Sequence, residues 1–252
     1  MLERYKNSYL SYFLMYNFYY LSWAVFSALI SVYLLGKGFK ASEVSLVVST
    51  SFLTSMIFQP VIGMFSDRYD VKKVNFVLFT LAGIGGLAFM FADSLITITI
   101  GYSFVLTLIN GTNPVMEKIA SSSPYQYGKI RIWGTIGYAT GSWLAGMIYQ
   151  LISPSAIFIC FIITMILCII GLLGTQTPSE LGQNNEEKTK TSTLFHNYKY
   201  LYYLIIAAIF QGITNMANTY IPAMFQNDGL KVSLVSTILS FAVLCEAPLI
   251  FT

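Results

Sequence analysis

Eight apolar stretches, each about as long as a membrane is thick, are the feature that most constrains how this chain folds. A helix needs about 20 apolar residues to cross the hydrocarbon core of a bilayer. Stretches of that kind cover residues 10–35, 44–65, 74–92, 95–117, 127–151, 155–174, 200–222 and 232–252. Only 10% of the residues are charged, whereas soluble domains have about a quarter. The sequence therefore predicts an all-α membrane protein.

The polar segments divide the eight predicted spans into two groups. Short loops join the first six, which makes residues 1–174 an N-terminal six-helix transmembrane bundle. Residues 175–199 are rich in Thr, Asn, Glu and Lys and are expected to form a cytoplasmic linker. Residues 200–252 hold two more spans and stop within an apolar run, so we expect a second bundle that further helices complete.

The basic residues predict how the chain is oriented. Of its 14 Lys and Arg residues, three lie in loops on one side of the predicted membrane, at Lys37, Lys40 and Lys231, and the other 11 lie on the side of the N-terminus. Because cytoplasmic segments carry the excess of Lys and Arg, the N-terminus is predicted to be cytoplasmic in a multi-pass protein of the cell membrane. The net charge of +3 follows from this topology, so no nucleic-acid partner is expected.

Polar residues share one helical face in three of the spans. In the fourth span this face carries Asn110, Asn113 and Glu117, and in the seventh it carries Gln211, Asn215 and Asn218. In the fifth span it carries Arg131 and Tyr138. Polar faces of membrane helices turn inward, where they either join helices or line a watery cavity. Three parallel faces favour the cavity, and its many amides and few charges suit a neutral, hydroxyl-rich solute.

Two functions are open for Arg131 on spacing alone. Its long side chain reaches the lipid phosphates if it points outward. If it points inward, its planar fork of donors is suited to a sugar or a carboxylate, with Tyr138 as a stacking ring and Glu117 as a charge partner. An N-terminal capping box formed by Ser123 and Gln126 is expected to begin this helix.

A carboxylate near the end of the chain is the candidate for proton coupling. Glu246 lies in the last predicted span, where a carboxylate is unfavourable unless it has a partner or a task. No metal site is expected, because the three cysteines lie inside spans without disulfide or metal spacing and His196, the only histidine, lies in the polar linker. No cofactor is expected either. An enzyme within the membrane is disfavoured, since the spans lack histidine and paired acids.

Two motifs together resemble the major facilitator superfamily. The stretch FQPVIGMFSDRYDVKK, residues 58–73, is similar to the signature that follows the second helix of that family. The stretch YGKIRIWGTIGY, residues 127–138, looks like the fifth-helix segment of the oligosaccharide:proton symporters, the lactose permease group, and of related nucleoside and phenylpropionate transporters. The resemblance implies a major facilitator fold, with a six-helix bundle followed by the first two helices of the C-terminal bundle.

The resemblance also implies roles for individual residues. Arg131 takes the place of the arginine that holds the sugar, and Tyr138 that of the ring that stacks on it. The fourth-helix glutamate of lactose permease falls on Asn113, with Glu117 one turn further on. The gating loop after the second helix falls on Gly63, Asp67, Arg68, Lys72 and Lys73. Asp70 stands where the family usually has glycine, so the turn of this loop is expected to differ.

The function implied is secondary transport by alternating access. The resemblance indicates symport of a sugar, an oligosaccharide or a nucleoside with H⁺, across the lipid bilayer. The alternatives are a carrier of a small organic acid and a non-transporting or degenerate fragment of such a carrier.

Overall fold

Helices make up all the regular structure of the described chain. The computed structural model describes residues 5–176, 197–245 and 248, and no strand occurs among them. The helices are α1 Tyr9–Ser27, α2 Ile30–Gly36, α3 Ala41–Arg68, α4 Val71–Met90, α5 Leu95–Ser121, α6 Tyr127–Leu151, α7 Ala156–Gly174, α8 Tyr198–Asn227 and α9 Val232–Leu244. The predicted all-α class is confirmed.

Six segments of the described chain are long and apolar enough to cross a membrane. They are Tyr9–Gly36, which joins α1 and α2, and the helices α3, α4, α5, α7 and α8. Helix α6 has the predicted bounds but is not among these six, because its many Gly, Ser, Thr, Tyr and Trp residues lower its mean hydropathy. The described part of α9 has only 13 residues. The prediction of a multi-pass membrane protein is confirmed.

Helix α7 shows how one helix meets both lipid and protein. One face of it is exposed and entirely apolar, formed by Ile159, Ile163, Ile166, Ile170 and Leu173. The opposite face is buried among the other helices and carries Phe158, Phe161, Met165 and Cys168. A face of exposed isoleucines on a helix 19 residues long is stable only where lipid covers it.

The first six spans pack with an internal symmetry. Helix α1 packs on α6 and α7, and α5 packs in the corresponding way on α3 and α4. Helices α4 and α7 pack on each other. If spans one, two and three are exchanged with spans four, five and six, the α1 contacts therefore map onto the α5 contacts, and the α4–α7 contact maps onto itself. Two three-helix repeats produce this pattern.

Glycines let α6 approach α1 closely enough for backbone contact. A Cβ placed on Gly137 would lie 2.3 Å from the backbone oxygen of Asn17, and one on Gly141 would lie 2.6 Å from that of Leu21. The Asn17 Nδ2 then donates to the Trp133 carbonyl at 3.0 Å. Small residues at helix interfaces are the usual means of tight packing in membranes, where the hydrophobic effect does not drive association.

The last two helices meet the first bundle mainly at one end. Helix α9 packs on α6, and the Gln150 side chain accepts from the Ser233 N–H at 2.9 Å. Helix α8 contacts the bundle near its C-terminal end, where Ser31 donates to the Thr219 carbonyl and Tyr220 donates to Ser45. The first part of α8, residues 198–213, is mostly exposed. The α8–α9 pair and the first bundle therefore meet at the end that carries the α2–α3 turn.

That same end is held together by an ion pair. Lys37, just after α2, donates to Asp93 at 2.9 Å and to the Ala92 carbonyl at 2.7 Å, and it lies 5.4 Å from the centre of the Tyr33 ring. Partial burial lowers the pKa of Lys37, but its interactions with Asp93 and Tyr33 outweigh this effect, so the pKa is raised.

Three local expectations differ from the structure. The first span is not one continuous helix, since residues 28 and 29 interrupt it between α1 and α2. Helix α6 begins at Tyr127 with Gln126 as N-cap and no side-chain cap bond, so the capping box with Ser123 was wrong. Helix α8 begins at Tyr198, within the segment expected to be linker. Glu246, like most of that linker, lies outside the described residues.

Candidate functional site

A polar cavity lies between the first bundle and α8. Its volume is about 560 Å³, which suits a small solute with its water. Side chains of α1, α3, α5, α6 and α8 line it, namely Tyr20, Trp23, Phe52, Ser55, Met56, Gln59, Asn110, Asn113, Glu117, Arg131, Gln211 and Asn215. Five of these residues are amides, and the charged ones are one acid and one base.

Three tyrosines hold the carboxylate of Glu117. The hydroxyls of Tyr16 and Tyr20 each donate to its Oε1 at 2.7 Å, and the Tyr127 hydroxyl donates to Oε2 at 2.5 Å. Tyr16 and Tyr20 lie one turn apart on α1, which places both hydroxyls on the same carboxylate oxygen. Hydrogen bonds to a charged acceptor are stronger than neutral ones, so Glu117 is fixed in one orientation.

Arg131 points into the cavity and not toward lipid. Its Nε lies 3.9 Å from Glu117 Oε1, and its Cζ lies 5.5 Å from the centre of the Tyr20 ring. The ion pair is loose, since 3.9 Å is longer than a hydrogen bond. Arg131 is thus neutralised by Glu117 without all of its five donors being used by that carboxylate.

Hydroxyl and amide groups form the α3–α5 wall of the cavity. Asn110 Nδ2 donates to Ser55 Oγ at 3.3 Å, and Ser55 Oγ is 3.3 Å from Thr107 Oγ1. The Oδ1 of Asn110 is buried and has no hydrogen-bond partner in the described part of the chain. Asn113 donates to the Tyr20 hydroxyl at 3.4 Å and so connects this wall to the Glu117 cluster.

Aromatic rings form the α1 wall. Tyr20 and Trp23 are stacked, with ring centres 5.8 Å apart and planes 28° apart. Tyr138 contacts the edge of Trp23 at 6.5 Å between ring centres. Tyr138 therefore packs against the aromatic wall but is not among the residues that line the cavity.

The structure brings together most of the residues that the sequence singled out. Asn110, Asn113, Glu117, Arg131 and Asn215 all line one cavity. Asn218 is exposed and, like Tyr138, is not part of its lining. Sequence reasoning missed Tyr16, Tyr20, Trp23, Ser55 and Gln59. Helix α1 is apolar or aromatic almost all round, so no periodicity distinguished the site side of Tyr20 and Trp23.

The predicted gating loop lies far along α3 from the cavity. Asp67 and Arg68 form the exposed last turn of α3, and Gly63 lies one turn before them. Asp70 accepts a hydrogen bond from the Lys73 N–H at 3.0 Å and is the N-cap of α4. This explains the missing glycine: the loop begins the next helix with a side-chain cap. Lys72, beside Lys73, is half-buried.

A bundle of membrane-spanning helices around a polar cavity is typical of membrane transporters, and comparison with known proteins identifies the family. Residues 12–250 match the family model described as Major Facilitator Superfamily. The chain belongs to this superfamily.

Three relatives cover much of the chain at low identity. The chain is 26% identical over 243 residues to the uncharacterized transporter YwbF of Bacillus subtilis. The aligned region covers 92% of this chain and 60% of YwbF. It is 26% identical to the sucrose permease of Escherichia coli over 60% of this chain and 39% of that protein. It is 22% identical to the probable 3-phenylpropionic acid transporter of Escherichia coli, over 90% of this chain and 62% of that one. The chain thus spans less than two thirds of these relatives.

A solved structure shares the fold. The nucleoside transporter NupG superposes with a TM-score of 0.78 at 16% identity, covering 97% of this chain and 66% of NupG. The predicted major facilitator fold is confirmed by this likeness.

Proposed function

We propose that this chain belongs to a secondary transporter that carries a neutral, hydroxyl-rich solute, a sugar, oligosaccharide or nucleoside, by alternating access. The observation that carries the proposal is the composition of the cavity wall. Five amides and one ion pair leave the site close to electrically neutral and rich in both donors and acceptors. The stacked rings of Tyr20 and Trp23 offer flat apolar surface to a sugar ring or a base.

The relatives support the same solute class. One is named a sucrose permease and another a raffinose permease, and the structural neighbour is a nucleoside transporter. In this account Arg131, Glu117, Asn110, Asn113 and Asn215 contact the solute. Tyr138 and Asn218 are assigned an indirect role, since neither lines the cavity.

Transport would expose the cavity alternately to the two sides of the membrane. The first bundle and α8–α9 meet at the end of the α2–α3 turn, which is the outer end if the N-terminus is cytoplasmic. The state described is then open toward the cytoplasm. The exposed Asp67 at the inner end of α3 is the proposed latch for the opposite state, together with the basic residues Arg68, Lys72 and Lys73.

Coupling to H⁺ is part of the proposal and needs a carboxylate that changes its environment between the two states. Glu246 remains the candidate for this role. Glu117 is assigned to solute binding instead, because it lines the cavity beside Arg131.

The test is uptake by the full-length protein in liposomes, with and without an inward proton gradient. Radiolabelled sucrose, raffinose and uridine are offered with 3-phenylpropionate as competitor. Saturable uptake of a neutral solute that the gradient accelerates is expected. Uptake that Asp67→Asn leaves unchanged would remove the latch assignment, and the absence of uptake of every neutral solute would contradict the proposal as a whole.

A carrier of a small organic acid is the second candidate, and Arg131 is the observation that favours it. Its pairing with Glu117 is loose at 3.9 Å, so a solute carboxylate has access to the guanidinium. One relative is named as a probable transporter of 3-phenylpropionic acid. Uptake of 3-phenylpropionate with no uptake of sugars or uridine would decide for this candidate.

A further inference from the structure

Three helices that line the cavity contain an interior proline. Pro60 lies in α3, Pro114 in α5 and Pro222 in α8. Because proline has no N–H, the carbonyl four residues earlier in the helix loses its regular donor. The carbonyls affected are those of Met56, Asn110 and Asn218, respectively.

Two of these three carbonyls belong to residues of the cavity wall. Met56 on α3 and Asn110 on α5 line the cavity, whereas Asn218 on α8 does not. Within a bilayer, backbone groups released from a helix are tolerated where they line a watery cavity or find another donor. Met56 and Asn110 thus each combine a place in the cavity wall with a carbonyl that has lost its regular helical donor.

The side chain of Asn110 adds a further acceptor to the same wall. Its Nδ2 donates to Ser55, so the amide is turned with Oδ1 away from that hydroxyl. This Oδ1 is buried and has no donor in the described part of the chain. A buried acceptor without a partner is unfavourable, and a solute donor would remove that penalty. Gln59, one turn before Gly63 on α3, contributes an amide to the same wall.

We propose that the α3–α5 wall is an acceptor subsite, formed by the freed carbonyls of Met56 and Asn110 with Asn110 Oδ1, that binds O–H or N–H donors of the solute. This inference rests on the proposed function and makes its solute class narrower. Arg131 supplies donors on the α6 wall, so the cavity has a donor side and an acceptor side. Hydroxyl groups serve both sides, whereas a carboxylate serves only Arg131. The site therefore selects a polyhydroxylated neutral solute.

Proline-to-alanine substitutions test this subsite without removing a side chain that hydrogen-bonds. Pro60→Ala and Pro114→Ala return an N–H to the helix, so the freed carbonyl is engaged again within it. Alanine is the best helix former, so both variants are expected to fold. Pro222→Ala is the matched control, because it makes the same chemical change where the carbonyl does not belong to a cavity residue.

Affinity is measured by calorimetry on the purified full-length protein with sucrose, raffinose and uridine. The tightest binder of the three is then compared with its mono-O-methyl derivatives, which keep each oxygen as an acceptor but remove its donor. Pro60→Ala and Pro114→Ala are each expected to weaken binding of the parent solute about 3- to 10-fold, the loss of one hydrogen bond. Pro222→Ala is expected to stay within about twofold.

A double-mutant cycle separates the effect of losing the carbonyl acceptor from the effect of a change in helix shape. For at least one O-methyl derivative, wild type and Pro114→Ala are expected to bind equally, because the bond is already lost. The same fold loss for the parent and every derivative would show a change of helix shape and overturn the subsite. So would equal affinity in all three variants and wild type. If no solute binds to wild type, the proposed function itself fails, and the two failures are thereby distinguished.

Discussion

Glu117 and Arg131 are charged side chains in mostly apolar helices. The side chains around them replace the water that each would otherwise contact. Each tyrosine hydroxyl on Glu117 replaces a water that the carboxylate would otherwise need. The Tyr20 ring lies against the guanidinium. The sequence predicted Arg131 and Glu117 as partners from their helical faces. It left open whether Arg131 points inward, because that depends on where α1 places its rings.

Replacing Arg131 by lysine tests whether the guanidinium fork binds solute. Lysine keeps the charge but offers a compact ammonium that does not hold two oxygens in one plane. Arg131→Lys in the full-length protein is expected to insert normally and to bind the neutral solute at least about tenfold more weakly, or about 1.4 kcal/mol. The matched control is Lys129→Arg, the reverse exchange at an exposed position of the same helix that does not line the cavity. Wild-type affinity in Arg131→Lys, measured by calorimetry, would mean that the arginine only anchors the helix.

At the scale of elements, the bounds of most helices could be predicted from the apolar pattern and their packing could not. The predicted span 127–151 coincides with α6, and 95–117 falls within α5. The side of α1 that faces the cavity was not predictable, since its aromatic residues are buried against several helices at once. The glycines of α6 lie at helical spacing, but only the structure shows that Gly137 and Gly141 meet the α1 backbone.

A methyl group on Gly137 tests this close approach. Its Cβ would lie 2.3 Å from a backbone oxygen of α1, so the two helices must separate. Gly137→Ala is expected to destabilise the protein by about 1–3 kcal/mol and to lower its midpoint of thermal unfolding in detergent. Gly83→Ala is the control, since nothing lies within 4 Å of its added Cβ and alanine is the better helix former. Equal midpoints for the two variants would contradict the account of α1–α6 packing.

At the scale of the molecule, the apolar spans predicted an all-α membrane protein, and the resemblance of two motifs implied the major facilitator fold. The symmetric packing of spans one to six and the contact of α8 at one end are products of tertiary structure. These helix contacts could not be predicted from a single sequence, because lipid-facing and buried positions hold the same apolar residue types. Orientation follows from the distribution of basic residues and stays a prediction.

Cysteine accessibility tests the orientation. In a full-length protein without Cys160, Cys168 and Cys245, a cysteine replacing Lys231 is expected to react with a membrane-impermeant maleimide added to intact cells. A cysteine replacing Lys73 is expected to react only after the cells are opened. Both lysines are exposed in the structure, so access to the reagent differs only by the side of the membrane. The reverse labelling pattern would invert the predicted topology and the assignment of the open end.

Fluorescence of a single tryptophan in the cavity tests the central claim, that this cavity binds a neutral solute. Trp23 lines the cavity, whereas Trp133 and Trp143 are not part of its lining and are replaced by phenylalanine. Titration of this full-length variant with sucrose, raffinose and uridine is expected to give a saturable change in Trp23 emission for at least one solute. The Arg131→Lys substitution should shift that curve to at least about tenfold higher concentration. If a solute is taken up normally by liposomes containing this variant but leaves the Trp23 emission unchanged, the binding site lies elsewhere and the account is contradicted.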